Sequence, residues 1–262
     1  MNRFLSIGTD IEVFALDKDN IHRSLCGKIG GTKDKPKQLK DMKKGFCVQE
    51  DNVALEYNVP ATNTLEGWLD VNKSMQAKVK DILAELGYTI SPNCSVTFDD
   101  EELTHPNALV FGCEPDYNAW TRTENPRPFT DNLNLRTAGG HIHVGTNADI
   151  AESVKQMDLY LGIPSILLDD TDSSRERRKL YGKSGALRPK PYGFEYRTLS
   201  NFWTYTDDLL KWAFVNTKRA ILEPKPITAE FEDIIQTTIN TGDKDAAKGI
   251  MSHFGLTTQL HT

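Results

Sequence analysis

Four short stretches of the chain alternate apolar with ionisable residues at a period of two. They are Gly8-Thr9-Asp10-Ile11-Glu12-Val13-Phe14, Leu55-Glu56-Tyr57-Asn58, Gly139-Gly140-His141-Ile142-His143-Val144 and Tyr192-Gly193-Phe194-Glu195-Tyr196-Arg197. Successive side chains of a strand point to opposite faces. As strands, each stretch therefore puts its polar pair, ionisable in all but Asn58, on one face and its apolar residues on the other. A plain core would not accept these charges. Asp10 and Glu12 by themselves also suit a solvent-facing strand, but inside a covered sheet two acids so close need a cation or another partner.

The second stretch carries Glu56 within an apolar run, which makes it a better ligand candidate than Glu50, a residue equally suited to a turn; Asp51 lies beside Glu50. In the third, His141 and His143 share a strand face. A lone buried histidine is usually core, but two at this spacing, framed by glycines that permit close backbone approach, suit a metal or a phosphate. Zinc on these two histidines needs a further ligand such as a carboxylate. The fourth stretch closes a basic segment in which Arg175, Arg177, Arg178, Arg188 and Arg197 fall within 23 residues. Such a run is commonly a solvated loop with surface ion pairs. Here Tyr181-Gly182, Gly185 and Tyr192-Gly193 are interleaved with the arginines, a composition suited to a loop folded over a phosphate-bearing ligand. The guanidinium fork matches phosphate and carboxylate oxygens.

The rest of the chain supplies the scaffold. Strands are expected at 3–16, around Phe4, Ile7, Ile11 and Val13, at 45–59 with Pro60 closing the run, at 88–98, at 138–144 and at 192–199. The lysine-rich segment 27–44 reads as a solvated loop or hairpin. Leu65, Trp68, Leu69, Met75, Val79, Ile82, Leu83 and Leu86 recur at helical spacing, so 62–86 is a helix, capped by Thr62, Asn63 or Thr64 and ended by Gly87. Further helices are expected at 149–168, 206–222, 227–239 and 243–254. Residues 99–137 are irregular, with 111–120 reading as ordered, and 169–190 is polar, basic and glycine-containing. No repeat, linker or shift in composition divides the 262 residues. The expectation is one α+β domain over 1–262: a mainly antiparallel curved sheet with helices on one side, and residues 204–262 as a helical extension.

Composition narrows the function. With 31 Lys+Arg against 37 Asp+Glu the formal net charge is −6, which argues against a general nucleic-acid binder. No apolar run approaches a membrane span, and the first residues lack the features of a signal peptide, so a cytoplasmic protein without membrane partners is expected. Cys26, Cys47, Cys94 and Cys113 stand far apart, form no CxxC pair and read as reduced, semi-buried thiols. P-loop, kinase and Rossmann signatures are absent. Carboxylates at 10, 12, 56 and 195, a histidine pair and an arginine segment together read as metal–nucleotide chemistry.

The joint order of Asp-Ile-Glu, Gln-Glu-Asp-Asn with Leu-Glu-Tyr-Asn, Gly-Gly-His-Ile-His-Val-Gly, and Tyr-Gly-Phe-Glu-Tyr-Arg resembles the phage-type carboxylate–amine ligases, or amidoligases, of the glutamine synthetase and glutamate–cysteine ligase superfamily. The similarity runs from about residue 7 to residue 203. It implies a glutamine synthetase-like catalytic fold cupping ATP and two or more Mg2+ ions, with Mn2+ also admissible. It implies Asp10, Glu12, Glu56, His141 and Glu195 as metal ligands. His143, Arg175, Arg178, Arg188 and Arg197 would hold nucleotide, and Glu12, Arg188, Glu195 and Arg197 would be catalytic. Asp10 departs from the larger members of the superfamily, which usually carry Glu there.

The implied reaction is amide formation through an acyl phosphate, from small-molecule or peptide carboxylate and amine substrates, in the host cytoplasm if the chain is phage-encoded. Substrate identity, oligomeric state and the general base are not specified by these motifs. The alternatives are a metal-dependent hydrolase using the histidines and acids, which would leave the arginines without a task, and a non-catalytic nucleotide- or peptide-binding module.

Overall fold

A computed structural model describes residues 5–109 and 116–258. Phe4, Cys113 and the 111–115 part of the stretch read as ordered lie outside the described residues. The first strand, β1 (Leu5–Val13), is followed by the short β2 (Ala15–Leu16) and β3 (His22–Arg23), then β4 (Lys37–Gln38), β5 (Cys47–Asp51) and β6 (Ala54–Thr62). Helix α1 (Leu65–Glu85) precedes β7 (Thr89–Ile90), β8 (Ser95–Thr97), β9 (Tyr117–Asn118), β10 (Leu135–Thr137) and β11 (Gly140–Thr146). Helix α2 (Ile150–Met157) runs through a π-helical turn at Asp158–Gly162 into α3 (Ile163–Leu168), and α4 (Asp172–Leu180) leads to the hairpin β12 (Ala186–Lys190) and β13 (Gly193–Tyr196). Helices α5 (Asp207–Leu222), α6 (Ala229–Thr241) and α7 (Lys244–Phe254) complete the described chain.

Eight strands form one open sheet in the order β4-β5-β6-β1-β11-β13-β12-β9, with antiparallel neighbours throughout. This is the expected α+β class. The odd-numbered positions of β1 and the matching positions of its neighbours make the apolar face. Ile7, Ile11, Val13, Val48, Leu55, Tyr57, Ile142, Val144, Phe194 and Tyr196 are all buried there in one cluster with Trp68, Trp203 and Trp212.

Helix α1 lies against β6 and α5, and α2 against α5 and the β12–β13 hairpin. The α1 stripe is the expected one: Trp68, Met75, Val79 and Leu83 are buried, and Thr64 caps the helix by accepting from Gly67 N at 3.1 Å. Trp68 stacks on Trp203 with ring centroids 5.6 Å apart and donates from Nε1 to Leu210 O. Cutting a side chain like that back to alanine costs about 3–5 kcal/mol.

Several boundaries differ from the sequence expectation, each for a local reason. Residues 3–16 break at Phe14, whose ring leaves the main sheet for a second cluster with Val53, Val96, Phe98 and Leu103. The strand expected to close at Pro60 continues to Thr62, and residues 88–98 give two short strands outside the main sheet. The segment 169–190 holds a helix and a strand. Cys26 and Cys94 are buried and Cys47 is partly exposed, all three as thiols. Among the described residues no helix is long and apolar enough to cross a membrane.

Candidate active site

Register explains why the charged residues meet. Asp10 pairs with His141 and Asn58, Gly8 with His143, Glu12 with Glu56, Gln49 with Glu56, and Glu195 with both His143 and Arg188. Directly opposed residues on neighbouring strands project to the same side. The period of two in each stretch thus converges on a single sheet face, opposite the helix-covered one. Asp10, His141, Arg188, Glu195 and Arg197 are all buried on it.

Glu195 is the centre of charge. Arg197 Nη1 donates to its Oε1, Arg188 Nη1 lies 3.3 Å from the same oxygen, and Lys190 Nζ lies 3.1 Å from Oε2. Burial and then Asp10 work to raise the Glu195 carboxyl, but Arg197, His141 and Arg188 outweigh them and hold it at about 2. Asp10 sits between the histidines. His141 Nδ1 is 2.9 Å from Oδ1 and His143 Nε2 is 3.0 Å from Oδ2. Burial alone would raise Asp10; the histidines hold it well below the usual carboxylate range. Burial opposes a charged His143, yet Asp10 raises its imidazole above the ordinary value.

Two groups of donor atoms on this face have the spacing of cation sites. One is Asp10, His143 and Glu195, the other Glu12, Asp51 and Glu56, with one ligand atom from each residue all within 4.8 Å of one another. Three carboxylates offer the oxygen donors that magnesium prefers, and the set with one imidazole also suits manganese. Glu56 is driven well above the usual range by burial first and then by repulsion from Asp10, Glu12 and Asp51. Asp51 is exposed as a residue, but crowding around its carboxyl, and then Glu12, push that group up to about 6. Glu12 is oriented by Gly139, whose N–H donates to Oε2 at 2.5 Å. A side chain at Gly139 would collide with the His141 ring.

The structure thus gathers Asp10, Glu12, Glu56, His141, His143, Arg188, Glu195 and Arg197. Of the two histidines, His143, expected at the nucleotide, lies in a group with the spacing of a cation site, and His141, expected as a ligand, places Nδ1 2.9 Å from Asp10 and 3.5 Å from Glu195. Two arginines lie elsewhere. Arg175 is on the surface of α4, half exposed and paired with Asp170 and Asp172. Arg178 is buried beside α3, reaching Ser165 O at 3.5 Å and Asp169 at 4.0 Å. The first part of the basic run is a helix whose Arg177 and Arg178 hold neighbouring elements, and the rest is the β12–β13 hairpin, so the segment is not one loop.

Sequence reasoning did not single out Asp51, Lys190 or Tyr192 as site residues. Asp51 and Lys190 each carry on a period of two, from Gln49 and from Arg188, and that was the available signal. Pro189 and the surrounding charge disguised β12 as loop. Glu50, in contrast, lies in β5 opposite Leu55 and spends its carboxylate on the neighbouring loop, accepting the backbone N–H groups of Gly27, Ile29 and Gly30.

Residues 131–247 match the family model of the phage phiEco32-like COOH.NH2 ligase, type 2. This stretch is similar to a family of carboxylate–amine ligases. The matched part of the chain contains β11, β12 and β13, with His141, His143, Arg188, Glu195 and Arg197. Asp10, Glu12, Asp51 and Glu56 of the same face precede it. No curated protein matches the chain.

Proposed function

We propose that the chain is an ATP- and Mg2+-dependent ligase that joins a carboxylate to an amine through an acyl phosphate. One observation carries this reading: three cations converge on Glu195 beside two clusters of cation-ligating side chains, all on one face of the sheet. A phosphoryl-transfer site needs this pairing of divalent-cation ligands with fixed positive charge. The family match supports a ligase forming C–N bonds. A metal-dependent hydrolase would give the Arg188–Lys190–Arg197 cluster no task.

The donor sets fit divalent cations. Asp10, His143 and Glu195 would hold one, with Mn2+ admissible, and Glu12, Asp51 and Glu56 a second. Bound there, such cations neutralise phosphate charge. An oxygen of the carboxylate substrate attacks the γ-phosphorus of ATP, the bond to the ADP oxygen breaks, and an acyl phosphate forms. The amine then attacks the activated carbonyl, the C–O bond to phosphate breaks, and the amide and inorganic phosphate leave as the nitrogen loses a proton. Arg188, Lys190 and Arg197 stabilise charge on the moving phosphoryl group. His141 and Gly139 hold Asp10 and Glu12 in place. The protein's contribution is positioning and electrostatics.

The substrates on this reading are a small-molecule or peptide carboxylate and an amine, and 1–262 acts as one ligase domain whose helices after residue 204 are its extension. Phosphate release from ATP and Mg2+, measured against pooled carboxylates and amines, tests it. ADP formation that requires both partners supports the ligase. Hydrolytic activity with a tightly held transition metal and no ATP requirement would replace it with the hydrolase.

A further inference from the structure

Tyr192 stands outside the roles above, yet its placement is built. Gly193 has φ +149° and lies so close to β11 that a side chain there would collide with Val144 O. Thr146 N donates to Tyr192 O at 3.0 Å and fixes the turn of the β12–β13 hairpin on β11. The Tyr192 ring consequently lies over His143, with centroids 6.1 Å apart and planes 19° from parallel, and its hydroxyl is 2.6 Å from His143 Nδ1.

We propose that Tyr192 is a positioning residue for a divalent-cation site, its hydroxyl holding the His143 ring so that Nε2 faces Asp10 and Glu195. The inference rests on the reading of Asp10, His143 and Glu195 as cation ligands. An imidazole that ligates through one nitrogen is neutral and carries its proton on the other. With a cation held at Nε2, which lies 3.0 Å from Asp10 Oδ2, that proton belongs on Nδ1 and needs an acceptor. Tyr192 Oη is at that position. Removing it lets the ring turn and give Nδ1 the lone pair, facing away from the carboxylates. Outer partners of this kind typically govern cation affinity by about 10- to 100-fold.

The test uses the full chain and Mn2+ as probe, with binding followed by electron paramagnetic resonance and the ligand nitrogen read from its hyperfine coupling. The wild type is expected to show a histidine nitrogen on bound Mn2+, and His143→Gln to lose it. Tyr192→Phe keeps the ring and deletes only the hydroxyl. It is expected to bind Mn2+ at least about tenfold more weakly, with an unchanged melting temperature in EDTA. Equal Mn2+ affinity in Tyr192→Phe and wild type overturns the positioning role while leaving the cation site standing. A wild-type spectrum with bound Mn2+ but no nitrogen coupling overturns the cation-site reading itself, and the positioning role with it.

Discussion

Glu12 and Glu56 sit directly opposite each other on neighbouring strands. Like charges in this register destabilise a sheet, and Asp51 adds to the crowding. The arrangement costs stability unless a cation offsets it, as functional sites often do. Glu56→Gln should therefore have opposite effects on stability and binding. In EDTA its melting temperature should equal or exceed that of the wild type, while Mn2+ affinity should fall about tenfold. A lower melting temperature combined with unchanged affinity would make Glu56 a structural residue.

Turnover should separate the two groups of arginines. Arg188→Ala removes a charge that faces Glu195 and should reduce ATP turnover by about 100-fold or more. Arg175→Ala deletes a surface pair with Asp170 and Asp172 and should leave turnover within about twofold and stability within about 0.5 kcal/mol. Glu195→Gln should abolish turnover and also lower stability by about 3 kcal/mol, because it leaves buried guanidinium groups facing a neutral amide. Steady-state kinetics and chemical denaturation check all three. Normal turnover in Glu195→Gln would remove Glu195 from the site.

Gly139 is predicted to be intolerant of any side chain. A methyl group there meets the His141 ring, which has Asp10 on its other nitrogen. Gly139→Ala should displace that ring and cut turnover by about 10- to 100-fold while the chain still folds. Wild-type kinetics in Gly139→Ala would show that the ring moves aside at no cost.

Asp158 gives a pH dependence of stability unrelated to the charged sheet face. The residue lies in the π-helical turn and accepts from Trp120 Nε1, Gly185 N, Tyr196 Oη and Thr198 Oγ1. Burial nevertheless dominates and pushes its carboxyl up from 3.8 to about 7. A folded value above the unfolded one means that the contribution to stability is complete below the unfolded value and is lost as pH rises through about 7. Asp158→Asn should abolish that part of the pH dependence. It should also cost about 1–3 kcal/mol, because its amide nitrogen faces donors. Denaturation midpoints from about pH 5 to pH 8 measure both effects. A wild-type midpoint that rises over this range would refute the assignment.

How much was legible depended on the range over which each feature is determined. The α1 stripe and its Thr64 cap depend on residues three or four apart, and both are where the spacing puts them. The shared face of Asp10 with Glu12, or of His141 with His143, depends only on the two-residue period of a strand. The basic segment misled because composition does not separate a helix with buried arginines from a loop: Arg177 is buried against Thr198 O and Arg197 O, partners 20 or more positions away. Asp51 and Lys190 end their strands, where the two-residue period from Gln49 and from Arg188 is too short to stand out from the turns that follow.

Local chemistry alone thus determined that the chain is an α+β protein and that its acids and histidines share sheet faces, since strand pleat and helix period act between near neighbours. Only the tertiary structure decided which strands adjoin, and so that both His141 and His143 meet Asp10 beside Glu195, and that Arg188 and Lys190 reach the site while Arg175 does not. The pairing register of strands more than 40 residues apart is settled by packing their apolar faces against α1, α2 and α5. That packing is a property of the whole chain.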